Sequence, residues 1–398
     1  MGEKLLDEYL NAVYEATENA DGNALGQLVS LQNPRWFVRN RAAVNEDAVD
    51  SYLSPPVGEF VLAHMHAANS IHDSDWLKAF EHQCAMVAAI TKWLQLQKDE
   101  NWSLPVMHTA CVELRLLALQ AERVQKRSHS GAQVEFLEKA ADCLMACFRI
   151  CASDNRTSEE ATKRWGMLAL INQLFKVYFR INKLNLCKPL IRAIESSPFK
   201  EDFSLGQQVT YRYYTGRKAM FDSEYRLAEE YLEYSFQHCH IQSRKNKRRI
   251  LIYLIPVKML LGYMPKRALL EKYDLMAFWP AAQAIREGNS NGLSRAIEKH
   301  EAFFIKNGVY IMLEKLRMIA FRNLFKKVYH ILNSHQIDIA ALNVALKFSG
   351  VSDADMDETQ CLVANLINDN KIKGYISHQH NKLVVSKQNP FPALHTVA

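Results

Sequence analysis

Three cysteines, Cys143, Cys147 and Cys151, stand at i, i+4 and i+8, the spacing that aligns side chains along one face of a helix. Thiolates in that pattern could bind a soft metal ion. Two helical turns carry the outer pair about 12 Å apart, too far for one ion whose bonds are near ~2.3 Å. The interleaved Leu144, Met145 and Phe148 mark the face as core. His238-Cys239-His240 and His378-Gln379-His380 are ligand-like pairs without a companion CxxC or HxxxH, and read as structural or surface histidines. No P-loop, GxGxxG, HExxH, GxSxG or kinase signature occurs, and the acids form no recognisable general acid–base pair. The chemistry that remains is cationic. Arg244, Lys245, Lys247, Arg248 and Arg249 form the densest basic run, expected in the loop before a helix. Lys315, Arg317, Arg322, Lys326 and Lys327 lie along a helical stretch. Lys371, Lys373, Lys382 and Lys387 cluster near the end, with His378 and His380. Clustered cations of this kind suit a phosphate backbone, and the RKNKRR run also has the composition of a nuclear-import signal.

The elements that must position these groups are almost all helices. The chain has 398 residues, 48% hydrophobic and 23% charged, with a formal net charge of +6. That is ample for a core, and mildly basic. No apolar run is long enough to span a bilayer, and MGEKLLDEYL lacks the apolar stretch of a signal peptide. Leu6 stands where a myristoylation signal wants Ser or Thr. Cytosol or nucleus is therefore expected, with the eight cysteines as buried free thiols.

Residues 1–56 are the least regular part, and Arg35, Trp36, Phe37, Arg39 and Arg41 fall there. From 57 to 208, helical periodicity recurs with short loops, the pattern of a helical-repeat array. In 209–333, Tyr211–His240 has the small/large order of a tetratricopeptide-type hairpin: Gly216 and Ala228 allow close approach, and Tyr225, Tyr231 and Phe236 fill the space beside it. Pro256 is expected to kink the next helix near Ile252 and Tyr253. Asn291–Lys306 and Val309–Asn333 each read as one helix, the latter a rigid connector.

At 334–390 the period changes. Asp338–Phe348 and Glu358–Ile367 read as helices, followed by two strands at Tyr375–His378 and Leu383–Ser386; 391–398 is a tail. Helix, helix, hairpin after a longer helix is the order of a winged helix. Asp353, Asp355, Asp357 and Glu358 crowd the start of its second helix, whose body has no Arg or Lys and offers only Gln360 and Asn365 as base readers. Base-specific DNA reading is not expected. The apolar strand Leu383–Val385 is expected to need cover from a partner. The fold class is thus mainly α, a tetratricopeptide-like solenoid ending in a winged helix.

That combination resembles the PCI domain family of scaffold subunits, found in the proteasome lid, the signalosome and translation-initiation factor 3. The blocks carrying the resemblance are NQLFKVYFRINKLNLCKPLIRAIESS (172–197), VTYRYYTGRKAMFDSEY (209–225), KNKRRILIYLIPVKMLLGYMP (245–265), HEAFFIKNG (300–308), FRNLFKKVY (321–329) and KGYISHQHNKLVVSKQNPFP (373–392). Within the family they are most similar to the PCI subunit of the nuclear transcription–export complex 2. The resemblance implies a non-enzymatic scaffold without cofactors, acting in messenger-RNA export in the nucleus and at nuclear pores, with some in the cytoplasm. It implies a winged helix paired with that of a larger subunit of the germinal-centre-associated nuclear protein type. A small acidic disordered protein shared with the proteasome lid is a further implied partner. The joined winged helices would bind RNA or DNA without sequence preference. The alternative is an assembly subunit of a lid- or signalosome-like complex with no nucleic-acid role.

Overall fold

The computed structural model describes residues 2–32, 44, 46–97, 100–128, 135–156 and 161–397. The Arg35–Arg41 segment and the loop at 129–131 lie outside these. The chain divides into two compact units, Met1–Tyr211 and Arg212–Ala398.

The first unit is all-helical among its described residues. It contains α1 (Gly2–Glu18), α2 (Gly22–Leu28), α3 (Glu46–Tyr52), α4 (Val57–His72), α5 (Trp76–Leu96), α6 (Leu104–Ser128), α7 (Phe136–Ala152), α8 (Met167–Arg180) and α9 (Cys187–Glu195). Successive long helices pack as neighbours, α4 on α5, α5 on α6, α6 on α7 and α7 on α8, as short antiparallel connections require. Polar caps mark several starts: Asp21 accepts from the Asn23 and Ala24 amides, and Asp75 from that of Lys78. α8 begins after a short 3-10 turn at Lys163–Gly166 and is buried on nearly every side. Its apolar text has no polar face, so it forms the centre of the unit.

The second unit opens within α10 (Leu205–Phe221), which pairs with α11 (Tyr225–His238). A Cβ at Gly216 would lie 2.8 Å from Leu232 Cγ and 3.1 Å from Tyr231 Cβ. The close approach expected there is present, with Ala219 and Ala228 buried. α12 (Arg244–Leu260) starts earlier than its periodicity suggests: the basic run is its first turns, not a loop, and the helix continues through Pro256. Then follow α13 (Arg267–Lys272), α14 (Trp279–Glu287), α15 (Ser290–Lys299) and α16 (Glu301–Asn307), so Asn291–Lys306 is two helices, broken at His300. The expected connector Val309–Asn333 is also two, α17 (Tyr310–Lys315) and α18 (Arg317–Leu332), meeting at Leu316. Leu316 is fully buried and closes α17; an apolar stripe through such a corner looks the same in sequence as one through a straight helix.

α18 is the first helix of the winged helix. After it come β1 (Gln336–Asp338), α19 (Ile339–Phe348), α20 (Met356–Asn368), β2 (Gly374–Ser377), β3 (Lys382–Val385) and a short α21 (Leu394–Val397). The three strands form one antiparallel sheet in the order β1-β3-β2, with Ile337 opposite Leu383 and Ile376 also opposite Leu383. β1 is absent from the sequence reading because three residues cannot display an alternation. The core joins Phe321 and Phe325 of α18 to Ile337, Ile339, Leu342, Leu346, Val363, Leu366, Leu383, Val385 and Phe391. Leu383 and Val385 are therefore covered by their own subdomain, not by a partner. No described helix is long and apolar enough to cross a membrane.

Candidate nucleic-acid and partner interface

The basic run on α12 spends most of its charge on neighbouring helix ends. Lys247 is buried; its Nζ donates to the Phe236 carbonyl at 2.7 Å in the last turn of α11, and sits 4.7 Å from the centroid of the Phe236 ring. Arg244 Nη2 donates to the Lys272 carbonyl, and Arg248 Nη2 to that of Asp274 at 3.1 Å. These carbonyls belong to the end of α13, where the last turn has no intrahelical donors and carries the negative end of the dipole. Lys245 and Arg249 remain exposed. Three of the four candidate phosphate contacts in this run, Arg244, Lys247 and Arg248, are thus helix-terminus donors.

A second correction concerns Arg322. It is buried, and burial lowers its affinity for a proton. Its Nη2 donates to the Pro392 carbonyl, Nη1 to Asn323 Oδ1 at 2.9 Å, and Nε to the Lys371 carbonyl at 3.5 Å; the guanidinium lies 5.6 Å from the Phe391 ring centroid. Arg322 therefore ties the tail and the segment after α20 to α18, and no phosphate can reach it. Beyond it, Gly262 (φ +95°) leaves room for Leu394: a Cβ there would lie 2.4 Å from Leu394 Cβ. His395 stacks on Tyr263 with centroids 5.3 Å apart. What reads as a tail is a strap across the second unit. Lys327 donates to the Glu287 carbonyl, again a helix end, while Lys326 is half-buried with no printed partner.

The wing keeps its cations. Lys373 and Lys387 are exposed, and backbone bonds from Ser386 N to Lys373 O and from Lys373 N to Pro390 O hold their segments side by side at one end of the β2–β3 ribbon. Lys371, beside them, pairs with Asp369 at 2.8 Å. Lys382 stands towards the other end, 3.7 Å from Asp338, with the exposed tip residues His378 and His380 beyond.

α20 offers no matching charge. Its outward positions are Asp357, Glu358, Cys361, Ala364, Asn365 and Asn368. Asp355 caps it through the Glu358 amide at 2.7 Å. Asn343 of α19, buried, donates to the Ala354 and Asp355 carbonyls and to Thr359 Oγ1, fixing this acidic corner in place. On α19 the opposite face is bare and apolar: Phe348 is 91% exposed and Val344 66%, one turn apart. At the end of α18, Ile331 is also largely exposed.

The other sequence candidates are structural. Cys147 and Cys151 are buried, and Cys147 Sγ lies 3.9 Å from Cys111 Sγ. His238 stacks on Tyr234 and hydrogen-bonds its carbonyl; His240 accepts from the Gln242 amide. Among the described residues no group of three or more His, Cys, Asp or Glu is placed to hold a metal. A concavity of about 670 Å³ in the second unit is walled by Leu227, Leu260, Leu261, Ile319 and Val397, with Lys315 bonded to Ser223 and Tyr225 hydroxyls at its rim.

Known proteins supply the comparison. A family model described as PCI domain matches residues 297–387, from the last turn of α15 through the wing. The chain is 51% identical over 393 residues to PCI domain-containing protein 2 of Xenopus laevis, covering 98% of each. The homolog from Drosophila melanogaster is 49% identical over 396 residues, again covering 98% of each. Enhanced ethylene response protein 5 of Arabidopsis thaliana is 33% identical, covering 99% of this chain and 97% of that one.

Proposed function

The chain belongs to the PCI domain-containing protein 2 family, and from that premise we propose that it is a non-enzymatic subunit of a nuclear messenger-RNA export assembly, working as a docking platform first and a phosphate grip second. It is a PCI scaffold protein. In this reading a larger scaffold subunit covers the apolar face of α19, and the wing contributes to RNA or DNA binding without sequence preference. A small acidic disordered protein is a further partner, and the complex works in the nucleus and at nuclear pores, with a cytoplasmic fraction. The observation that carries the docking role is Phe348 and Val344 standing in solvent while every other face of the winged helix closes on its own core. Contiguous exposed apolar side chains mark interaction surfaces. The nucleic-acid role rests on Lys373 and Lys387, cations on one end of the ribbon beside an acid-free stretch of strand.

Double reversal Lys373→Glu with Lys387→Glu tests it. RNA affinity of the purified complex is expected to fall similarly for unrelated sequences, with the salt slope reduced by about 2, while partner binding survives. Unchanged affinity with partner binding intact would leave a pure assembly subunit. For docking, Phe348→Asp is expected to abolish co-purification of the larger subunit without unfolding the chain; retained co-purification refutes the α19 face.

A further inference from the structure

In the first unit, α6 and α8 pack side by side, and His108, Arg115 and Lys176 come together there without a counter-charge. His108 and Arg115 are seven residues apart on α6, two turns along one face. Arg115 Nε donates to Oε1 of buried Gln173 at 2.8 Å, which sets the guanidinium against α8. Lys176 lies one turn beyond Gln173 on that face. Burial and the Arg115 charge lower the Lys176 ammonium to about 8, and burial and the Lys176 charge lower the His108 imidazole.

The acids of the surrounding elements are occupied elsewhere. α8 contains neither Asp nor Glu, and α2 none. Glu113 of α6 is bonded to Ser30 and Leu31. From α7, Glu138 binds Lys183, and Asp142 acts on Tyr178 and Lys183. Glu81 of α5 acts on His82 and Cys84. Glu195 of α9 accepts from the Tyr211 hydroxyl and pairs with Lys200. Lys163, in the 3-10 turn before α8, gives its ammonium to the Leu94 and Gln97 carbonyls. A half-buried set of cations held close together with no acid among them is electrostatically costly. An anion placed between them removes that cost and restores their protons.

We propose that His108, Arg115 and Lys176 form an anion subsite on the first unit that takes a phosphate group. The guanidinium supplies forked donors, the ammonium a point charge and the exposed imidazole a third donor at the mouth. The site is independent of the wing and stands whether or not the wing binds RNA. The phosphate could be a free monoester or part of an RNA backbone, and the test separates them.

Competitive amine labelling of the full chain, read for each lysine by mass spectrometry across pH, reports the titration of Lys176. Inorganic phosphate is expected to raise its midpoint by about one unit, lowering labelling below that midpoint about tenfold, while sodium chloride of equal ionic strength does not. The same protection by an oligouridylate, absent with inorganic phosphate, identifies a phosphodiester; protection by inorganic phosphate alone identifies a free phosphate. Arg115→Gln is expected to abolish the effect and Arg115→Lys to keep part of it, with Lys163 labelling monitoring the fold of this unit. No protection beyond the chloride control with either probe, or full protection in Arg115→Gln with Lys163 still shielded, overturns the proposal.

Discussion

Replacing Arg322 separates a structural cation from a nucleic-acid cation in one experiment. Its guanidinium donates to two backbone carbonyls and one side-chain amide, and the Pro392 carbonyl is held by it inside the second unit. A hydrogen bond from a charged donor contributes about 1.5–3 kcal/mol, and a buried carbonyl left without a donor costs about 1–3 kcal/mol. The Nε bond is long at 3.5 Å and contributes least. Arg322→Ala is therefore expected to destabilise the second unit by about 3 kcal/mol, lowering its Tm by roughly 6–12 °C for a unit of this size. Arg322→Met, which keeps the apolar stem and removes the cost of burying charge, is expected to lose less. Arg322→Lys keeps the charge but cannot span the same carbonyls, so it should resemble methionine in stability. The assays are thermal unfolding, protease sensitivity near Pro392 and RNA affinity of whatever remains folded. A Tm unchanged within about 1 °C, together with RNA binding lost in Arg322→Met and kept in Arg322→Lys, would falsify the strap and return Arg322 to the nucleic-acid surface.

Two further outcomes follow from single sites. Glu113 is 3% exposed, and burial raises its carboxyl to about 7 against the hydrogen bonds from Ser30 and Leu31. The folded chain then holds that proton more tightly than the unfolded one. Its stabilising contribution is complete below the unfolded value near ~4.5 and is lost as pH rises through about 7. Glu113→Gln should remove that slope, gaining up to roughly 3 kcal/mol relative to the parent at pH 8; parallel Tm–pH curves for the two proteins would contradict this. Gly216→Val pushes Cβ into Leu232 and Tyr231 and should destabilise by about 1–3 kcal/mol, read as a lower urea midpoint; an unchanged midpoint would mean that α10 and α11 are not so closely packed.

How legible the site was depends on what each residue needed to reveal itself. Helix existence, the Gly216–Ala228 close pair, the order of the winged helix and the acidic start of α20 are local properties, carried by periodicity, side-chain size and charge within a few residues of chain. The breaks at His300 and Leu316 and the three-residue β1 were not legible, because a buried corner keeps its apolar stripe and so short a strand has no period. The fate of the basic residues was least legible. Arg244, Lys247, Arg248 and Lys327 stand in sequence beside Lys373 and Lys387 as equal cations. A lysine's role is set by which carbonyl or solvent its Nζ meets, and the Phe236 and Glu287 carbonyls lie 11 and 40 residues away along the chain.

By itself, then, the sequence determined a helical array closed by a winged helix, a wing rich in lysine and a reading helix without cations. Only tertiary structure decided which cations are spent on helix ends, that Arg322 holds the tail, that Leu383 and Val385 are covered from within, and that Phe348 and Val344 are left bare. The physical reason is range. Backbone propensity and amphipathic period act over a few residues, whereas burial, capping of a distant helix and the pairing of a charge are settled when segments far apart in sequence meet.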